Sequence, residues 1–215
     1  MSKFTQIVMV LDRSGSMRSV KDDTIGGFNS FLEEQRKVKG KAEVSLVLFD
    51  DQYEPQFAGV DLNVVADLDD TTFVPRGLTA LLDAVGKTIS STYSSIKSAK
   101  KKDRPEQVIF VVITDGFENS SREYTREALF NMITEMKEKE KWEFMFLGAN
   151  QDAIEVGGQY GFDAGSSLTY SANEKGVTTS YALMADKVKC YRSTGKLDAF
   201  TEDERNEAKG EDDGK

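Results

Sequence analysis

The 215-residue chain is 39% hydrophobic and 30% charged, a mixture that supplies a sizeable core under a solvated surface and excludes global disorder. A formal charge of −9 with a pI near 4.8 argues against nucleic acid and anionic lipid as partners. The absence of histidine excludes His-based catalysis and zinc sites, and the single Cys190 leaves no intrachain disulfide.

Short β-branched runs alternate with segments of helical period, which predicts a Rossmann-like α/β fold. It has an open, mainly parallel sheet, one antiparallel edge strand and helices on both faces. Ile7 to Leu11 is a continuous apolar run ending at Asp12, as suits a central strand covered on both faces. Helix one runs from Asp22 to Lys37 with Ile25, Phe28, Phe31 and Leu32 in one stripe, and Asp22 and Asp23 favour its start. Ala42 to Phe49 and Tyr53 to Leu62 flank Asp50-Asp51-Gln52, which predicts an antiparallel edge hairpin. Asp50, Asp51, Asp69 and Asp70 lack the pattern of a calcium loop and read as solvated turns.

Thr79 falls at a helix start, ahead of Leu81, Leu82, Val85 and Ile89 on one face, with Asp83 read as a structural hydrogen-bonding residue. A basic run, Lys97, Lys100, Lys101, Lys102 and Arg104, reads as a solvated helix end. Val108 to Ile113 is a second buried strand, ending in Thr114-Asp115-Gly116. A helix over about Arg122 to Lys141 turns Leu129, Phe130, Ile133 and Met136 inward. Phe144 to Leu147 is a strand, Asp152 to Tyr160 a short helix, Leu168 to Ser171 a last strand and Lys175 to Tyr191 a closing helix. Trp142, Phe144 and Phe146 alternate onto one packed face, and Cys190 reads as inert core. One domain over residues 1–195 is expected, followed by an acidic, disordered tail over 196–215.

Asp12-Arg13-Ser14-Gly15-Ser16, Thr79 and Thr114-Asp115-Gly116 fall at one edge of this sheet, where parallel sheets bind ligands. Asp12, Ser14, Ser16, Thr79 and Asp115 together offer two carboxylates and three hydroxyls, hard donors that suit Mg²⁺, with Mn²⁺ or Ca²⁺ as other candidates. Glu118 and Asn119 fall on the rim, where they would tune partner choice.

From Thr5 to Tyr191 the order of elements and these five positions resemble the von Willebrand factor A family and its metal-ion-dependent adhesion site. The resemblance implies direct ligation by Ser14, Ser16 and, in the open form, Thr79, with Asp12 and Asp115 acting largely through water or hydrogen bonds. It also implies that an Asp or Glu of a protein partner completes the coordination, so that the chain is a metal-dependent binding module and no enzyme. Intracellular members work beside AAA-type ATPases or within larger complexes; here such a partner would be a separate protein. A secretory leader and an apolar run of membrane-spanning length are both lacking, so a cytoplasmic chain of bacterial or phage type, monomeric alone, is expected. The alternative is a metal-dependent phosphatase or hydrolase, although Ser14 stands where a haloacid-dehalogenase-like site needs a second Asp.

Overall fold

The two longest apolar runs become the two central strands. In the computed structural model, which describes residues 3–149 and 151–210, β1 (Thr5–Asp12) and β4 (Gln107–Thr114) pair in parallel and are buried along their whole length. Side chains alternate across the sheet, so Ile7, Met9 and Leu11 enter one core while Val8 and Val10 enter the other. Each fully buried side chain of this size contributes roughly 1.5–3 kcal/mol of transfer free energy.

β2 (Ala42–Phe49) pairs in parallel with β1, and β3 (Tyr53–Asp61) returns antiparallel along the edge, as the hairpin signal predicted. β5 (Glu143–Ala149) and β6 (Ser167–Tyr170) extend the parallel sheet on the other side, giving the order β3-β2-β1-β4-β5-β6. The chain therefore grows outward from β1 in one direction and resumes at β4 in the other. The ends of β1 and β4 flank the point where the two directions part, which in such sheets opens a crevice for ligands.

α1 (Lys21–Arg36) and α5 (Glu174–Thr194) cover one face. They lie close because Gly27 meets the Tyr181 ring, where an added Cβ would fall 2.5 Å from a ring carbon. α2 (Leu81–Ser98), α3 (Arg126–Glu135) and α4 (Ala153–Tyr160) cover the other face. There Trp142, Phe144 and Phe146 pack among Phe110, Tyr160 and Phe162, as their alternation predicted. The basic run closes the end of α2: Arg104 donates to the carbonyls of Ala99 and Lys97, and Lys97 pairs with Glu140.

The helix expected from Arg122 begins at Arg126, capped by Thr125, because the preceding residues are fastened to α2; Phe130 on it is exposed. Cys190 is only half-buried, its thiol donating to Asp198 rather than packing in the core. Asp50 is fully buried instead of lying in a solvated turn, because Arg13 and Arg76 both pair with it.

The acidic segment expected to be disordered instead forms α6 (Glu202–Lys209). Thr201 and Glu204 cap it reciprocally, Phe200 and Ala208 are buried, Lys187 pairs with Glu204, and Arg205 donates to the carbonyls of Ser167 and Ala164. Composition missed this because the docking rests on two apolar residues and a cap. Residues 211–215 of the expected tail lie outside the described residues.

Candidate metal centre

Asp12 is the last residue of β1, and its carboxylate is held at both oxygens. Oδ1 accepts the Ser14 amide at 2.6 Å, curling the loop back over the strand end, and Oδ2 accepts the Thr114 hydroxyl at 2.6 Å from the neighbouring strand. The loop then presents Ser14 and Ser16 side by side, their hydroxyl oxygens 3.0 Å apart, and Ser16 donates to Asp115 Oδ1 at 2.6 Å. Asp12 and Ser14 are buried, while Ser16 is open to solvent.

Thr79 joins from the start of α2. The loop before it is bonded to the β1 loop by the Arg76 amide on Arg13 O (2.8 Å) and the Gly15 amide on Gly77 O (3.3 Å). Gly77 has φ +69°, and a Cβ there would strike Asp51 Oδ1 at 2.2 Å, so only glycine lets these loops close together. Beneath them, Asp50 receives Arg13 Nε at 3.1 Å and Arg76 Nε at 2.9 Å, and Glu54 receives the other end of both guanidinium groups.

Gly116 marks where the three segments meet. A Cβ placed on it would lie 2.8 Å from Thr79 Oγ1, 3.5 Å from Asp12 Oδ2 and 3.5 Å from Ser14 Oγ. Together with the bonds from Ser14 through Ser16 to Asp115, all five residues singled out in the sequence are thereby gathered at one place. Their donor set, two carboxylates and three hydroxyls, fits a hard divalent cation in chemistry and in charge. Burial raises the Asp12 carboxyl to about 7 despite its hydrogen bonds to Thr114 and Ser14, with the nearby Asp115 adding to the rise. Burial also raises Asp115, against the bond from Ser16. Both shifts express the cost of holding negative charge away from water. No three His, Cys, Asp or Glu side chains cluster as a metal cage among the described residues, so hydroxyls must supply much of any coordination here.

Glu118 and Asn119 do not sit free on the rim. Asn119 Oδ1 accepts the Thr79 amide at 2.9 Å, and Glu118 accepts the Ser120, Ser121 and Leu82 amides, so both fasten the Asp115 loop to the start of α2. Asp83 does the same from the helix side, accepting the amides of Arg122, Glu123 and Tyr124. Burial tends to raise its carboxyl, yet these three bonds and Lys87 together hold it below the ordinary value. Sequence reasoning missed Thr114 and the pairing of Arg13 with Asp50. The first was visible only as a strand end, and the second joins residues 37 positions apart.

A similar fold occurs in solved structures of other proteins. The vWF domain of the type V pili tip protein Mfa5 from Porphyromonas gingivalis superposes with a TM-score of 0.60 at 9% identity, covering 92% of this chain and 99% of that one. A von Willebrand factor type A protein from Catenulispora acidiphila gives 0.56 at 14% identity, over 87% of this chain and 43% of that one. The chain shares the von Willebrand factor A fold. Proximal thread matrix protein 1 from the mussel byssus matches it too, with a TM-score of 0.58 at 15% identity over 89% of this chain and 46% of that one. The chain spans less than half the length of the mussel and Catenulispora proteins. At such identities the likeness is one of fold. No protein-family model matches the sequence, and neither does any curated protein. In this von Willebrand factor A-type fold no helix among the described residues is long and apolar enough to cross a membrane.

Proposed function

We propose that the chain is a cation-dependent protein-binding module. A divalent ion, Mg²⁺ or failing that Mn²⁺ or Ca²⁺, is held by Ser14, Ser16 and Thr79, with Asp12 and Asp115 as direct or water-mediated partners. A carboxylate of a protein partner completes the coordination. The observation that carries this reading is the convergence at Gly116, where side-chain oxygens of Asp12 and Ser14 from one segment and of Thr79 from another meet the third segment, whose Asp115 is bonded to Ser16. An octahedral ion needs six oxygens, so this set leaves room for water or a partner's acid. The open position of Ser16 puts that room on the solvent side.

The partner is a cytoplasmic protein in this reading, an AAA-type ATPase or a subunit of a larger complex being the classes that the family resemblance in the sequence implies. The chain itself performs no chemistry on it. Capture of a partner from the native cell by the immobilised chain tests this. Capture in Mg²⁺, release by EDTA and loss with Asp115→Ala or Ser14→Ala are the expected results; capture indifferent to both treatments refutes the proposal. Motif-dependent turnover of an aryl phosphate in Mg²⁺ would instead favour a hydrolase.

A further inference from the structure

Resting on the cation site proposed above, we infer that the partner presents a second carboxylate, about 10 Å from the first, to a cleft beside that site. The cleft, about 420 Å³, is lined by Gln151, Asp152, Ile154, Thr169, Arg205 and Lys209. It lies beyond the ends of β5 and β6, on the same sheet edge as Asp12 and Asp115.

The charge in the cleft is opposite to that of the whole chain. Arg205 donates to the main-chain carbonyls of Ser167 and Ala164, at 2.6 and 2.8 Å, and forms no ion pair among the described residues. Lys209 is exposed and forms no ion pair among the described residues. The one acid of the lining, Asp152, already caps α4 by accepting the amides of Ile154 and Glu155. In a chain of net charge −9, two such cations against one engaged carboxylate make a local seat for an anion.

Gln151 links this seat to the cation site. Its Nε2 contacts Gly116 O at 3.5 Å, at the glycine where the motif oxygens converge. The side chain is only 7% exposed, and its Oε1 has no hydrogen-bond partner, so one buried polar group between the two positions has unused capacity. Apolar surface accompanies it: Phe117, next to Gly116, is 65% exposed and Ile154 of the cleft is 41% exposed, and neither belongs to the two cores.

The spacing follows from the sheet. The cation site lies at the ends of β1 and β4 and the cleft at the end of β6, two strands beyond β4, a separation of about 10 Å at the usual interstrand distance. A segment in polyproline II conformation rises about 3.1 Å per residue with three residues per turn, so side chains three positions apart lie on one face about 9 Å apart. The partner segment therefore carries two acidic residues three positions apart with an apolar side chain between them.

Two synthetic peptides titrated into the full chain, followed by amide chemical shifts, test this. One carries two glutamates three positions apart with leucine between them; the other has glutamine in place of the second glutamate. Both should bind only in Mg²⁺, the doubly acidic one about two- to fivefold more tightly, the worth of an exposed ion pair. Lys209→Glu should remove that advantage while leaving the singly acidic peptide's affinity and the thermal midpoint unchanged. Equal affinities in Mg²⁺, or an advantage that survives Lys209→Glu, would overturn the second contact and leave the cation site standing. Shifts indifferent to EDTA would contradict the cation site and the inference with it.

Discussion

Ser16 donates its hydroxyl proton to Asp115 Oδ1 at 2.6 Å, joining two loops 99 residues apart in sequence. A cation bound at that position would take lone pairs from both oxygens, so the ion and this hydrogen bond compete for the same two groups.

That competition gives a pH dependence with a definite sign. Asp12 is raised to about 7 in the folded chain against an ordinary 3.8, so between these values the folded state holds more protons than the unfolded one. Metal-free stability should therefore fall as pH rises from about 4 to about 7 and level off above, while the stabilisation conferred by Mg²⁺ grows across the same window. Thermal melts with and without Mg²⁺ measure both trends, and Asp12→Asn should flatten them. A Mg²⁺ increment that shrinks with rising pH would contradict the assignment.

Gly116 is predicted to matter for the ion and little for the fold. An alanine Cβ would stand 2.8 Å from Thr79 Oγ1, so one of the two must move. Gly116→Ala should weaken Mg²⁺ about 10- to 100-fold, the usual result of disturbing a ligand's support, with a stability change within about 1 kcal/mol. Calorimetric titration paired with chemical denaturation separates the two effects.

Asp50 should behave in the opposite way. It is fully buried between Arg13, itself 4% exposed, and Arg76, which is 46% exposed. Removing the carboxylate leaves the buried Arg13 only the partly exposed Glu54 as a partner, and Asp50→Ala should destabilise the chain by about 3 kcal/mol. Arg76→Ala, at the solvent side, should cost about 1 kcal/mol or less. Denaturant midpoints for the two variants test this order; equal losses would show that the network is not centred on Asp50.

Much of this architecture was legible because it is local or periodic. The apolar runs ending at Asp12 and at Thr114 announce buried parallel strands, and the residues just beyond them announce a ligand edge. Asp12, Ser14, Ser16 and Asp115 lie at or just beyond those strand ends, and Thr79 was legible as a helix start. What escaped depends on contacts between distant residues: Arg13 with Asp50, Thr114 with Asp12, and the amides that turn Glu118 and Asn119 from rim residues into fasteners. A polar turn and the acidic half of a buried charge network look alike in sequence, since both are short runs of aspartate and the arginines here come from 37 and 26 positions away.

The C-terminal segment makes the same point and carries its own prediction. An acidic stretch docks as α6 because Phe200 and Ala208 are buried on α5 and β6. Phe200→Ala should cost about 3–5 kcal/mol, as for other buried aromatics, and should raise amide exchange over 200–209. Unchanged exchange there would mean that the helix does not depend on this anchor.

The central claim is that one divalent ion sits where Asp12, Ser14, Ser16, Thr79 and Asp115 converge. Titration of the chain with Mn²⁺, followed by electron paramagnetic resonance, counts bound ions directly. One ion per chain, displaced by excess Mg²⁺ and lost in both Ser14→Ala and Asp115→Ala, is the predicted result; no bound ion, or one that binds both variants as tightly as the parent chain, would contradict it.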